Sequence, residues 1–214
     1  MKTRFMNPAL LLALTVAATP ALAQGVRLQL EPGSTITLSG TSTLHGFTCK
    51  SDNIQAVFDV DPGYETKDLT TIAKPLLTAK VEIPAKSLKC GEGKMDKNMY
   101  ETIKADENPT ITFVLSSYDL ADPTANSFVA NTTGKLTIAG HDNTCVLKVK
   151  AVRGEDGSIV ASGTHKLLLT DFGIKPPRFM FGTLRVGNEI TIQFNLKASA
   201  RTVAQLGELV VAER

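Results

Sequence analysis

The chain has 214 residues, with 23 Lys+Arg against 21 Asp+Glu and 43% apolar residues. A near-neutral, well-mixed chain carries no electrostatic footprint for nucleic acid or for an anionic surface. Its apolar fraction is high enough to build a folded core and excludes a wholly disordered chain.

Residues 1–23 read as an export signal. Lys2 and Arg4 form a positive start, Pro8 to Ala18 an apolar stretch, and Ala21-Leu22-Ala23 a small-x-small cleavage pattern. The apolar stretch is too short to span a bilayer, and no later segment reaches about 18 uninterrupted apolar residues. No cysteine follows the cleavage position, which excludes a lipoprotein. The expectation is a periplasmic or secreted protein beginning at Gln24, with no stable membrane anchor. Loss of Lys2 and Arg4 takes Lys+Arg from 23 to 21, equal to the 21 Asp+Glu. The remaining length, about 190 residues, suits one domain at 24–198, followed by a tail at 199–214.

From Val26 onward the apolar residues alternate. Val26, Leu28 and Leu30 form one row, Ile36 and Leu38 a second, and Ile54, Ala56, Phe58 and Val60 a third. Leu77, Ala79, Val81 and Ile83 follow, then Ile111, Phe113 and Leu115, then Leu136 and Ile138. Cys145, Leu147, Val149 and Ala151 make another row, and Ile190, Ile192, Phe194 and Leu196 the last. Period-two alternation with polar residues between marks antiparallel strands with one wet face. Turn signals stand at Asp61-Pro62-Gly63, Asp122-Pro123, Gly140 to Asn143, Glu155-Asp156-Gly157 and Gly187-Asn188. Eight or more strands fit either a closed barrel or a two-sheet sandwich.

One helix interrupts this pattern, at about 94–105. Met95, Met99 and Ile103 recur at four-residue spacing, Asp96 lies in the first turn and Lys104 in the last, and Asn108-Pro109 stops it. Of the three cysteines, Cys49 and Cys90 lie in loop-like surroundings beside a strand and the helix. They are the expected disulfide pair in an oxidising compartment. Cys145 sits in a strand row and reads as a small buried hydrophobe.

Catalytic signatures are absent: no G-x-S-x-G, HExxH, Walker loop or C-x-x-C occurs. His45, His141 and His165 are too scattered for a metal-ligand pattern, and no metal is expected. His141 reads as a solvated turn residue. His165 shares parity with Ile159, Ala161, Leu167 and Leu169, so it should face the apolar side and find a partner or a ligand there. In Thr170 to Pro177, Phe172 and Ile174 should pack inward. Phe179 and Phe181 alternate beyond Pro177, as if to line a cavity mouth or plug the core.

Four ordered motifs then resemble the YceI-like family. Asp96, Met99, Asp106, Pro109, Ile111 and Phe113 match one pattern, and Gly134-Lys135-Leu136-Thr137-Ile138-Ala139-Gly140 a second. Asp171-Phe172-Gly173-Ile174 and Val186-Gly187-Asn188-Glu189-Ile190 match the last two. The resemblance covers about Gln24 to Ala198. The opening Gly40 to Phe47 and the lack of Trp depart from the family pattern, as in a subgroup. The resemblance implies an all-β protein, an antiparallel eight-stranded lipocalin-like barrel with the helix as a cap. It also implies an exported protein that binds polyisoprenoid lipid, and the absence of catalytic signatures makes the expectation a non-catalytic one.

The expected partner is therefore an apolar chain-like lipid, of polyisoprenoid or quinone type, bound without any other cofactor. Parity places Ile36, Phe58, Phe113, Leu136, Leu147 and Phe194 beside its tail, with His165 as a headgroup contact. The competing expectation is a structural, stress-related exported protein whose barrel is filled by its own side chains. The oligomeric expectation is a monomer or homodimer.

Overall fold

The computed structural model describes residues 25–200. The expected export signal at 1–23 and residues 201–214 of the expected tail lie outside them. The strands are β1 (Val26–Leu30), β2 (Thr35–Ser42), β3 (Gly46–Ser51), β4 (Gln55–Val60), β5 (Leu76–Pro84) and β6 (Thr110–Ala121). They continue as β7 (Ser127–Ile138), β8 (His141–Arg153), β9 (Ile159–Leu168), β10 (Arg178–Phe179) and β11 (Leu184–Ala200). Helix α1 (Gly93–Thr102) stands between β5 and β6.

Neighbouring strands follow the order β1-β4-β5-β6-β7-β8-β9-β11, every pair antiparallel. Leu28 to Leu30 of β1 pair with Ala198 to Ala200 of β11 and close an eight-stranded barrel. Closure removes the sheet edges that an open sandwich would leave. The long β11 carries both β1 and β2 on one edge, separated by the turn at Pro32-Gly33. Ser34 stitches that interruption: its Oγ accepts from Lys197 N at 3.0 Å. Strand β11 runs through Ser199 to Ala200, the last described residue.

Two irregularities correct the sequence reading. A register shift between Asp59 and Val60 pairs Val60 with Leu76 and leaves Leu77 exposed, against the inward place that its alternation with Ala79, Val81 and Ile83 predicts. One extra residue in a strand reverses the parity beyond it. Gly187-Asn188 is likewise a bulge within β11 rather than a turn. Asn188 anchors it, accepting from Thr170 N at 3.1 Å and donating to Thr170 Oγ1 at 2.9 Å. The turn expected at Gly140 to Asn143 is tighter than the reading: Ala139 and Gly140, both at positive φ, join β7 to β8.

The connections at 61–75, 122–126 and 154–158 gather at one end. There Tyr64 and Leu69, each only 2% exposed, sit beneath the barrel floor. The Asp61-Pro62-Gly63 turn signal opens a short 3-10 helix that carries Tyr64 inward. Arg153 fastens this plug, donating to the carbonyls of Tyr64, Lys67 (2.8 Å) and Ala125 (3.1 Å) and to Asn126 Oδ1 (2.6 Å). Hydrogen bonds from a charged donor contribute about 1.5–3 kcal/mol each at best, and these share solvent. Arg153→Ala is expected to lower unfolding free energy by about 2–3 kcal/mol in urea titration.

The helix, the 43–45 and 139–140 turns and the 169–183 connection gather at the opposite end. Helix α1 ends earlier than expected, at Thr102, and Lys104 lies beyond it at φ 51°. Ala105 N donates to Tyr100 O (2.8 Å) and Lys104 N to Glu101 O (3.2 Å), a Schellman closure with lysine where glycine is usual. Lys104→Gly relieves that conformation and should raise stability by about 1 kcal/mol, read as a higher denaturation midpoint. A second strained turn lies at Met180 (φ 50°) and Phe181 (φ 55°), before Gly182 (φ 87°). Left-handed non-glycine residues cost about 1–2 kcal/mol each.

Cys49 of β3 is bonded to Cys90, which leads into α1, and Cys145 is a buried free thiol. Beside the disulfide, Lys50 and Lys89 exchange two backbone hydrogen bonds of 2.8 Å. The helix is thus fixed to the barrel through the segment before it. Asp96 adds a further tie by accepting from Cys90 N at 2.6 Å.

Candidate functional site

The barrel is not filled. A cavity of about 550 Å³ runs inside it, walled almost entirely by the inward rows of the strands. Every residue expected beside a ligand lines this space: Ile36 of β2, Phe58 of β4, Phe113 of β6, Leu136 of β7, Leu147 of β8, His165 of β9 and Phe194 of β11. They converge because each occupies the inward parity of its own strand.

Two glycines keep the wall flat. Gly163 pairs directly with Phe194, and a Cβ there would lie 2.5 Å from the Phe194 ring. A Cβ on Gly134 would lie 2.3 Å from the Phe113 ring. Each phenylalanine lies over the bare backbone of a neighbouring strand instead of standing upright in the lumen. The spacing of these glycines within strand rows was the available signal for this arrangement.

The floor is closed by Tyr64 and Leu69, which the sequence reading did not place in the cavity. Burial pushes the Tyr64 hydroxyl's pKa far up, and it donates to Glu65 at 3.0 Å. Thr132 is buried in the wall, and its Oγ1 donates to Leu147 O at 3.0 Å, so it offers no free donor to a ligand.

The opening lies at the helix end. Met95 and Met99 of α1 line it with Ile103, opposite Leu44, Phe47, Phe179, Leu184 and Val186. Phe172 and Ile174 are buried, as their parity implied, and Phe179 borders the cavity. Phe181, expected to line the mouth or plug the core, instead stands fully exposed at 114%. The left-handed turn at Met180-Phe181 directs it away from the barrel. His45 is exposed at the mouth, with its Nδ1 2.7 Å from Gly46 O. His141 is exposed at the start of β8 and does not reach the cavity.

His165 is the polar feature of the inner wall. It is half-buried opposite Ile192, makes no side-chain hydrogen bond among the described residues, and burial lowers its pKa. The neutral imidazole is therefore favoured in the folded state. The unfolded chain takes up this proton near pH 6.5, so folding stability from this group is present above that pH and declines as pH falls below it. Apolar-ligand affinity should fall in the same direction, and His165→Leu should flatten the profile in titrations from pH 7.5 to 5. Cys145 also borders the cavity, and burial raises its thiol pKa, which disfavours the reactive thiolate. Among the described residues, no group of three or more His, Cys, Asp or Glu side chains converges as a metal site.

Comparison with known proteins agrees with this architecture. Solved structures of the same fold include BcnA of Burkholderia cenocepacia, 20% identical with TM-score 0.63, matched over 79% of this chain and 99% of that one. A Campylobacter jejuni YceI protein is 21% identical with TM-score 0.54, over 71% and 84% of the two chains. A polyisoprenoid-binding domain from Saccharophagus degradans, implicated in plant cell wall breakdown, is 12% identical with TM-score 0.60, over 83% and 99%. No curated protein matches the chain significantly. The family model for the YceI-like domain matches residues 28–198, from Leu28 of the closing strand β1 to Ala198 of β11, and the chain belongs to the YceI-like family.

Proposed function

We propose that this protein is a non-catalytic carrier that holds one apolar, chain-like lipid of polyisoprenoid or quinone type inside its barrel, in the periplasm. The observation that carries the reading is the continuous apolar cavity of about 550 Å³, closed at the Tyr64 floor and open at the helix end. A volume of this size falls within the range of small-molecule sites. At about 30 Å³ per water-sized group, it accommodates on the order of 15–20 carbons, or three to four isoprene units. Burial contributes about 0.8 kcal/mol per methylene, so such a chain binds without many polar contacts.

Between the floor and the mouth the wall carries one neutral imidazole, His165, which makes no side-chain hydrogen bond among the described residues, and one protonated thiol, Cys145. That supports binding rather than turnover. The family, and the polyisoprenoid-binding domain that shares the fold, point to the same ligand class. The signal-like residues 1–23 and the Cys49–Cys90 bond support the periplasmic placement. Organic extraction of the purified protein followed by mass spectrometry tests the reading. A prenyl or quinone lipid near one per chain is the expected result. No co-purifying lipid, together with no uptake of added prenyl compounds, would sink it.

A further inference from the structure

Around the cavity mouth two hairpin tips lie side by side. Thr43, between β2 and β3, donates from N to Arg185 O (3.0 Å) and from Oγ1 to Thr183 O (3.1 Å), and Arg185 N donates back to Thr43 Oγ1 (3.2 Å). These bonds make one platform from the 43–45 tip and the 180–183 tip. The platform carries three large apolar side chains out in water: Leu44 at 72% exposed, Met180 at 71% and Phe181 at 114%. Met180 and Phe181 hold left-handed backbone angles that glycine or asparagine would adopt with less strain. The bonds from Thr183 Oγ1 to Met180 O and from Arg185 Nε to Gly182 O (2.9 Å) fasten the turn in that shape. Strain that keeps a phenylalanine fully in water has no packing return among the described residues, and an exposed apolar tip of this kind fits an external partner.

Charge identifies that partner. Arg178 and Arg185 face each other directly across the β10–β11 pair, both exposed. Like charges opposed on a hairpin repel, and neither arginine makes an ion pair among the described residues. Lys175 on the same segment and Lys94 at the helix start add positive charge, against Asp171 and Glu92. The next pair on the same two strands, Phe179 and Leu184, lines the cavity. Exposed apolar tips beside paired arginines match a lipid interface, with side chains at the acyl boundary and guanidinium groups on phosphates. The chain's overall neutrality conceals this cluster.

We propose that the platform of Leu44, Met180 and Phe181 with Arg178 and Arg185 docks the open end of the barrel on an anionic lipid bilayer, so that the apolar chain passes between membrane and cavity without crossing water. This rests on the carrier reading and specifies how the same cavity is loaded. Contact is peripheral and reversible, since three side chains and two arginines make a weak interfacial anchor.

Flotation of the purified protein with vesicles tests it. The wild type is expected to float with equimolar phosphatidylglycerol and phosphatidylcholine, to stay behind with phosphatidylcholine alone, and to detach as salt is raised. Met180→Asn with Phe181→Asn relieves the turn strain and leaves the cavity lining intact. It is expected to reduce the floated fraction by at least about tenfold without lowering the thermal midpoint. Arg178→Gln with Arg185→Gln should do the same for the anionic vesicles. Both variants should retain prenyl-chain uptake from detergent solution. Absence of wild-type flotation on anionic vesicles, or equal flotation of the apolar variant, overturns the proposal. So does a wild-type dimer that ignores vesicles and becomes monomeric on Met180→Asn/Phe181→Asn, because the platform then joins two copies. Flotation without any prenyl uptake by the wild type leaves docking standing and removes the carrier reading.

Discussion

Gly163→Ala is expected to weaken binding of a prenyl chain by about fifteenfold, as the side chain that Gly163 now accommodates is driven into the ligand's space. A Cβ at this position meets the Phe194 ring at 2.5 Å and the backbone oxygen of Lys148 at 2.6 Å. The oxygen belongs to the β8 backbone and cannot easily retreat, so the ring must tilt into the lumen. Displacing about two methylenes of ligand at about 0.8 kcal/mol each gives roughly that factor. The protein itself should lose about 1–3 kcal/mol through overpacking. Combining Gly163→Ala with Phe194→Leu removes the ring's outer atoms and should recover most of the affinity. Measured affinity unchanged by Gly163→Ala would mean that the ligand does not occupy the wall between β9 and β11.

The second large effect concerns the helix end. Cys49→Ala with Cys90→Ala is expected to lower unfolding free energy by about 4 kcal/mol, read from denaturant titration of the oxidised protein. The estimate follows from the 41-residue separation of the two cysteines, because a bridge of that span restricts the unfolded chain. The native structure also loses its covalent tie between β3 and the segment entering α1. The Lys50–Lys89 backbone bonds and the Asp96–Cys90 bond remain, so the folded barrel should persist. Met95 and Met99 should then hold the mouth less firmly. A loss below about 1 kcal/mol would show that the unfolded chain is already compact around this loop.

Much of the barrel and its cavity was legible because a closed antiparallel sheet asks little of the sequence beyond parity. Ile36, Phe58, Phe113, Leu136, Leu147, His165 and Phe194 lie on seven different strands, yet alternation alone sorts each onto the inner face. The helix was legible from the spacing of Met95, Met99 and Ile103, although its end was not. Lys104 adopts a left-handed angle that gives no periodic signature and closes the helix early.

What escaped the reading turns on single residues. The shift between Asp59 and Val60 turned Leu77 outward and put Leu76 in the wall. The bulge at Gly187-Asn188 looked like a turn because bulges and turns use the same residues. Tyr64 and Leu69 were hidden in a connection without strand or helix period, where only the folded barrel reveals the floor they fill. Phe181 continued an inward alternation on paper, and two left-handed residues redirected it to the surface.

The central claim is that the cavity holds a single prenyl chain whose inner end reaches the Tyr64 floor. Calorimetric titration with isoprenoid alcohols of two, three, four and six isoprene units tests this most directly. Affinity should rise at least about tenfold with each added unit while the chain still fills the cavity. It should level off beyond about four units, where further carbons emerge at the mouth, and the stoichiometry should stay at one. Binding that is absent, or equal for every chain length, would contradict the account.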